Sequence, residues 1–471
     1  MQLLFKIPKY QLYLLQLENY ELGRYLKLLF KKGLWPKGAQ RKTLVWTSKA
    51  KALMLMAVGL HLLIIICLAL NSSLWFLLGL IVLIPVYFIF FSIALLLLWP
   101  FDWLVKRVVI YRAKLKIQKL QNLKVIGVAG SYGKTTMKEV LLEVLGAKFN
   151  AAATPESVNT PVGIARWILK KFDDSLEVAI VEMGEHYSGD VEELCRLTQP
   201  DIAVVTGINE AHLERMGTME NVTATIFEIV SNLKPKGLAV LNGDDDLVIG
   251  NYKKFVWPDH RVEKFQISNF KFQKFNTEAL YWECEHKDLG SIKIHLLGEY
   301  ALADVDCAIK IALELGVSNE EIKQGIEKIK PVEHRLQPIK SAGNILVIDD
   351  SYNSSPAAAK EAMAVLARFK NRRKLYITPG MVEMGKAAKE THLKIGQELA
   401  EVADVVILIK NSVTPFVEEG IRSEGAGLRV EGEKPKVIWF ETAGEAHQAL
   451  KDILRPNDVI LFQNDWGDQY V

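Results

Sequence analysis

The stretch Gly127-Val128-Ala129-Gly130-Ser131-Tyr132-Gly133-Lys134-Thr135-Thr136 constrains this chain more than any other, because the apolar run Val125-Ile126 precedes it and a helical pattern, Met137 to Leu145, follows. Strand, glycine-rich turn and helix in that order make a phosphate-binding loop. Glycines let backbone N–H groups turn inward on a polyphosphate, Lys134 reaches the β/γ oxygens, and the hydroxyl of Thr135 or Thr136 is placed to hold Mg²⁺. Gly130, Ser131, Tyr132, Gly133, Lys134, Thr135 and Thr136 are therefore the expected nucleotide contacts. The usual loop has a glycine five residues before the glycine of Gly-Lys, and here that place is Val128.

Ahead of the loop the chain is built differently. No charged residue occurs from Leu53 to Leu70, and after Asn71-Ser72-Ser73 a second uncharged run continues from Leu74 to Trp99. Each is long enough for a bilayer core, which takes about 20 helical residues. Trp46, Trp75, Trp99 and Trp103 fall near the ends, as an aromatic belt does. Basic residues from Lys6 to Lys49 precede the first run, and Lys106, Arg107, Arg112, Lys114, Lys116 and Lys119 follow the second, so both flanks are expected on the cytoplasmic side. The reading is a helical hairpin with a short outer turn, the rest of the chain being cytoplasmic. A cleaved signal peptide is not expected, since the first apolar run starts far from Met1 and no small-residue cleavage site follows. His61 is read as a neutral imidazole packed between two helices, and Pro85 as a kink in the second. The formal net charge of +3 conceals a basic amino-terminal region against a nearly balanced remainder, which suits anionic lipid rather than nucleic acid. Cys67, Cys195, Cys284 and Cys307 are scattered, with neither metal spacing nor a disulfide framework.

An amphipathic helical pattern runs from about Tyr10 to Phe30, and a basic helical stalk from Asp102 to Asn122. Thereafter apolar runs alternate with helical patterns: Lys124 to Val128, Glu177 to Val181, Ile202 to Thr206 and Leu238 to Leu241 read as strands of a parallel sheet. Phe255 to Leu297 reads as added antiparallel strands, followed by helices at Ala301 to Leu315 and Asn319 to Ile329. Beyond Lys330-Pro331, the runs Ile345 to Ile348, Lys374 to Ile377, Val405 to Ile409, Lys436 to Trp439 and Asp458 to Leu461 suggest a second α/β domain. The expected fold class is α/β behind a transmembrane hairpin: a basic segment (1–50), two spans (51–100), a stalk (101–122), a nucleotide-binding domain (123–331) and a Rossmann-like domain (332–471).

At the end of the Glu177 to Val181 strand stands Glu182-Met183-Gly184, and beyond it Asn209-Glu210-Ala211-His212-Leu213-Glu214. Parallel sheets place ligands at the carboxyl ends of their strands, so Glu182 and His212 are expected to converge with Thr135 on a metal beside the Lys134 loop.

Taken together, the loop and these segments resemble the G-[TS]-x-G-K-T-T pattern and following elements of the Mur ligase family, ATP-dependent enzymes that add amino acids to the peptidoglycan precursor. The resemblance extends through Pro200 to Thr206, Asn242-Gly243-Asp244-Asp245 and Arg335. Asp349 to Pro356 is similar to the D-D-S-Y-N-A-N-P stretch of the members that add D-alanyl-D-alanine, as is Pro379 to Gly385 with His392 following. It implies ATP and Mg²⁺ as cofactors, adenine contact at Asn242, nucleotide contacts from Arg335 and Asp350 after domain closure, and Asn159, Thr160 and Asn353 facing the substrate. Lys134, Glu182, His212 and Arg335 would carry catalysis, with a substrate carboxylate phosphorylated to an acyl phosphate that an amine then displaces. The implied partners are a peptidoglycan precursor, an amino acid or dipeptide, and membrane lipid, in a bacterial cell membrane.

Against that pattern, Ile226 stands where many members have a carbamylated lysine that helps hold a second Mg²⁺, so that either Glu228 or a substrate carboxylate supplies the oxygen or the second site is weak. Tyr300 to Asp304 stands in place of H-N-x-x-N, Phe462 to Asp465 in place of a K-G-S-R type segment, and the membrane hairpin in place of the domain that binds the uridine-diphosphate end. A ligase of poly-γ-glutamate and a non-catalytic nucleotide-binding scaffold remain as alternatives.

Overall fold

The computed structural model describes residues 2–36, 44–70, 85–156, 158–185, 187–210, 213–352, 355–381, 384, 387–423 and 434–464. The chain divides into an amino-terminal unit ending at Val108 and a larger unit beginning at Val109.

In the larger unit, Lys124–Ala129 (β1), Ala151–Ala153 (β2), Val178–Glu182 (β3), Ile202–Val205 (β4), Leu238–Asn242 (β5) and Arg261–Phe265 (β6) make one parallel sheet in the order β2-β3-β1-β4-β5-β6. Central strands are apolar on both faces because helices cover both sides. Ile126, Val128, Ile180, Val204 and Val240 pack with Met137, Val140 and Leu141 of helix Lys134–Leu145. The alternate residues Val125, Ala179, Val181, Ala203 and Leu241 pack with helices Pro161–Lys171, Asp190–Thr198 and Met219–Ser231. Gly127 brings the side chains of Met183 and Ile229 close to the strand: a Cβ there would lie 2.7 Å from Met183 Cε and 2.8 Å from Ile229 Cδ1, and those side chains would have to shift.

Two features of this sheet depart from the sequence reading. The triple-alanine strand β2 carries no β-branched signal and exists through its pairing with β3. Arg261–Phe265, expected among the antiparallel strands, instead extends the main sheet in parallel beside β5. Of the stretch from Phe255 to Leu297, Phe270–Asn276 (β7), Tyr281–His286 (β8) and Gly290–Ile294 (β9) form the antiparallel sheet. That small sheet is tied to helix Tyr300–Glu314 by a fully buried pair, His286 Nε2 and Asp306 Oδ1 at 2.9 Å.

The carboxy-terminal sheet comprises Gln337–Lys340 (β10), Leu346–Asp350 (β11), Lys374–Thr378 (β12), Val405–Ile409 (β13), Lys436–Phe440 (β14) and Val459–Gln463 (β15), in the order β10-β11-β15-β12-β13-β14. Strand β10, which the apolar runs did not announce, is the antiparallel edge. Contact with the first sheet's side runs through Arg368, whose guanidinium meets Glu299 Oε2 at 2.6 Å and lies 4.4 Å over the Trp282 ring.

In the amino-terminal unit, the expected single amphipathic pattern is broken into helices Gln2–Leu17 and Leu22–Lys32 by Asn19 and Tyr20, which adopt left-handed φ of 52° and 64°. The two long apolar helices are Ser48–Ala69 and Tyr87–Lys119, of 22 and 33 residues. Pro85 and Val86 form a turn ahead of Tyr87–Lys119, and the part of the expected second span that precedes Pro85, against which a kink would be judged, lies outside the described residues. The expected stalk is the continuation of that same helix to Lys119, with Pro100 inside it. His61 packs between the two, its Nδ1 2.8 Å from the Tyr87 hydroxyl and its ring stacked on Phe90. Asn71 to Ser73 and Trp75 lie outside the described residues.

Helices Ala388–Val402 and Thr414–Arg422 approach so closely that a Cβ on Gly396 would sit 2.1 Å from the Val417 carbonyl oxygen, with backbone rather than a movable side chain as the obstacle. Gly396→Ala is expected to destabilise the protein by about 1–3 kcal/mol. Gly250→Ala, in helix Asp246–Asn251 with nothing within 4 Å, is expected to be neutral or to stabilise it by about 0.5–1 kcal/mol. Denaturant midpoints of the two variants against the parent check both signs.

Candidate active site

Strand β1 ends at Ala129 and the chain turns through two positive-φ glycines, Gly130 (145°) and Gly133 (76°), before Lys134 opens its helix. Side chains are excluded at Gly130, where a Cβ would lie 2.2 Å from Thr206 Oγ1. The loop is held from the neighbouring strand: Ser131 N donates to Gly207 O at 2.8 Å, and Thr206 Oγ1 donates to the Tyr132 carbonyl. The ring of Tyr132 occupies the space that a side chain at Gly207 would take. Its hydroxyl donates to Asp245 Oδ2 at 2.7 Å, and burial next to that carboxylate pushes the phenol far above its ordinary value. Tyr132 is thus a brace of the loop through its side chain, leaving its backbone to face a ligand.

Two carboxylates and two ammonium groups meet at the loop. The ammonium of Lys134 donates to Gly130 O and to Glu185 Oε1, the latter at 2.7 Å. Thr135 Oγ1 donates to Glu182 Oε2 at 3.1 Å. Lys138, one turn further along the same helix and fully buried, donates to Thr154 O at 2.8 Å and stands 3.8 Å from Glu182 Oε2. Glu182 N in turn donates to Thr154 Oγ1 at 3.0 Å. Of the two candidate threonines, Thr135 reaches Glu182, whereas Thr136 is buried. Glu185 is 2% exposed, and burial raises its carboxyl above the usual range even with Lys134 beside it. Glu185 and Lys138 escaped the sequence reading, although Lys138 lies four residues from Lys134 on one helix face and Glu185 three residues from Glu182.

Hard oxygen donors suit Mg²⁺. Thr135 Oγ1 and Glu182 Oε2 are adjacent, and Glu185 Oε2 is buried with no hydrogen-bond partner, so the donor set fits that ion. Among the described residues no three His, Cys, Asp or Glu side chains are already gathered around a point, and His212 lies outside them. Ile226 is fully buried in the apolar layer under the sheet. Glu228, expected as a substitute oxygen ligand, is committed elsewhere: its two oxygens accept Gly189 N at 2.8 Å and Glu192 N at 2.9 Å, capping helix Asp190–Thr198.

Asn159 lies against Gly184, which has no Cβ to displace it and donates its N–H to Asn159 O at 3.0 Å. Thr160 caps helix Pro161–Lys171. Asn242 uses both ends of its amide, donating to Thr206 O at 2.7 Å and accepting Asp244 N at 2.9 Å. Arg335 and Asp350 come together on the far side of the boundary between the sheets. The guanidinium of Arg335 stacks 4.2 Å from the Tyr352 ring, and Asp350 Oδ1 accepts Leu336 N at 3.2 Å. Both lie within electrostatic reach of the half-buried Tyr300, which also feels Asp304. Asn353 lies outside the described residues, as do Val382, Glu383, Gly385 and Asp465. His392 is buried and fixes the turn after β12: its Nε2 accepts Met381 N at 2.9 Å while Nδ1–H donates to Ala388 O at 2.6 Å. That arrangement is the neutral imidazole, and burial lowers its pKa.

Asp350 has the most informative titration. Burial raises its carboxyl to about 7, only partly offset by Leu336 N–H and Arg335. The unfolded carboxyl titrates near 3.9, so the folded state holds the proton more tightly, and stability falls as pH rises from about 4 to about 7. Asp350→Asn removes that loss. Its stabilising effect is expected to be larger at pH 8 than at pH 5 by roughly 2 kcal/mol, read from melting curves of the detergent-solubilised protein at the two pH values.

Comparison with known proteins agrees with this geometry. Residues 128–312 match the Mur ligase middle domain and residues 334–463 match the Mur ligase glutamate ligase domain. The chain is 27% identical over 360 residues to the UDP-N-acetylmuramoyl-tripeptide--D-alanyl-D-alanine ligase of Bacillus subtilis, covering 75% of this chain and 76% of that one. It is 28% identical over 352 residues to the enzyme of that name from Escherichia coli, covering 70% and 76%. In three dimensions it resembles the MurF ligase of Thermotoga maritima solved in complex with ADP, with a TM-score of 0.65 and 25% identity over 76% of this chain and 80% of that one. With both catalytic-domain matches in chain order and the glycine-rich loop at the head of the first, the chain belongs to the Mur ligase family.

Proposed function

We propose that this protein is a membrane-anchored, MurF-like ligase that uses ATP and Mg²⁺ to join D-alanyl-D-alanine, or a similar amine, to the carboxylate of a muramoyl-peptide precursor. The observation that carries the reading is the contact set at the loop, with Lys134 emerging beside two positive-φ glycines and Thr135 hydrogen-bonded to Glu182. In this reading the backbone N–H groups of Gly130 to Gly133 cradle the phosphates and Lys134 exchanges Glu185 for the phosphate oxygens. Thr135 and Glu182, with His212, would hold Mg²⁺, which would supply positive charge against the transferring phosphoryl group. Arg335 and Asp350 approach the nucleotide from the carboxy-terminal sheet, while Asn242 contacts the base and Asn159, Thr160 and Asn353 face the precursor. Arg335 contributes fixed positive charge where the acyl phosphate and the following tetrahedral intermediate gather negative charge. Closure of the two sheets shields the acyl phosphate from water.

Anchoring rests on Ser48–Ala69 and Tyr87–Lys119. Only 22% and 17% of their most apolar stretches are buried, whereas core helices of a water-soluble protein hide such surfaces. Leu55, Leu62, Ile66, Leu70, Leu96 and Trp99 are exposed along them. The basic residues on both flanks set the ligase part on the cytoplasmic side. A second reading, a nucleotide-binding scaffold without catalysis, is favoured by Ile226 in the apolar layer and by the commitment of Glu228 to a helix cap.

The two readings separate in one experiment. Detergent-solubilised protein given ATP, Mg²⁺, UDP-muramoyl-tripeptide and D-alanyl-D-alanine is expected to form a product heavier by the dipeptide, seen by mass spectrometry. Lys134→Ala should lower that rate at least about 10²-fold. Nucleotide binding without any product would select the scaffold.

A further inference from the structure

Glu185 is a carboxylate in an unusual position. It is almost entirely enclosed at the carboxyl end of β3, and Oε1 lies 2.7 Å from the ammonium of Lys134. Its other oxygen, Oε2, is buried and has no hydrogen-bond partner among the described residues. The Glu182 carboxylate is close enough to repel it. Without nucleotide, Lys134 compensates the charge of Glu185. Once phosphate oxygens draw Lys134 away, Glu185 is left buried, unpaired and facing further negative charge, which is strongly unfavourable.

We propose that Glu185 makes nucleotide binding at this loop depend on a divalent cation, with Oε2 as an additional oxygen ligand beside Glu182. This rests on the nucleotide-binding reading above. Metal-free nucleotide is rejected because it leaves an uncompensated carboxylate under the phosphates, whereas a nucleotide arriving with its cation supplies the positive charge that Lys134 withdraws. Glu185 also offers the oxygen that Ile226 lacks and that Glu228 has given to its helix cap. Hard carboxylate oxygen is the appropriate donor for Mg²⁺ or Mn²⁺.

The test is a nucleotide-binding measurement on the full-length protein in detergent. Affinities for ADP and for a non-hydrolysable ATP analogue are measured by calorimetry, in EDTA and in excess Mg²⁺, for the parent, Glu185→Gln and Glu185→Ala. The parent is expected to bind the triphosphate analogue far more tightly with Mg²⁺. Both variants should bind it about tenfold or more tightly than the parent in EDTA, and should gain correspondingly less from Mg²⁺. Mn²⁺ titration followed by electron paramagnetic resonance should show weaker cation binding to the nucleotide complex of either variant. Circular dichroism and melting curves identify folded variants, and the alanine variant decides if the glutamine variant does not fold. Unchanged metal-free affinity and unchanged Mg²⁺ gain in a folded variant overturn the role of Glu185 alone. Failure of the parent to bind nucleotide under either condition overturns the loop reading as well.

Discussion

The pairing of β1 with β3, in which Val128 stands opposite Glu182, is the constraint on which the site depends. It ends both strands at the same edge, so the turn after β1 and the carboxylates after β3 must share one space. Four charged side chains then alternate in sign there: Lys134 with Glu185, and Lys138 near Glu182. None could be buried singly, because an isolated charge in a protein interior is costly. Together they neutralise one another at that edge.

Around that edge, neutral groups supply the rigidity. Tyr132 is locked on Asp245, Asn242 on the Thr206 carbonyl, and the glycines at 127, 130 and 207 leave room for contacts that a methyl group would block. The carboxy-terminal sheet repeats the arrangement with different means. His392 fixes the turn after β12, and Asp350 fixes the turn at Leu336 that presents Arg335. Lys134 and Arg335 therefore sit on two separately braced frames, joined by an apolar cluster in which Leu280 and Leu297 pack with Leu336, Leu346 and Phe369, and by the ion pair of Arg368 with Glu299.

Departures from the family pattern have physical counterparts in the structure. Ile226 is an ordinary core residue on the helix face turned toward the sheet, and Glu228, two residues on, points to another helix. A helix advances roughly 200° over two residues, so a residue that far from a metal-facing position cannot replace it. Glu185 instead lies on the loop that follows Glu182 and is already within the charged cluster.

Much of the fold was legible in the sequence, because short continuous apolar runs, glycine-rich turns and helical periodicity are local signals. Strands such as Val405–Ile409 are found where their apolar runs stand, and Lys134, Thr135 and Glu182 follow from their place in the strand–loop–helix order. What local pattern could not carry was pairing. Ala151–Ala153 is a strand only because β3 lies beside it, and Arg261–Phe265 joins the parallel sheet because β5 leaves an open edge. Similarly, that Lys134 answers to Glu185, that Thr135 rather than Thr136 meets Glu182, and that Glu228 caps a helix are relations between residues distant in sequence. The sequence by itself determined the chemistry available at the site and the order of the elements that bear it. Only the tertiary structure decided which charges neutralise one another, since Coulomb interactions and desolvation depend on distance and burial.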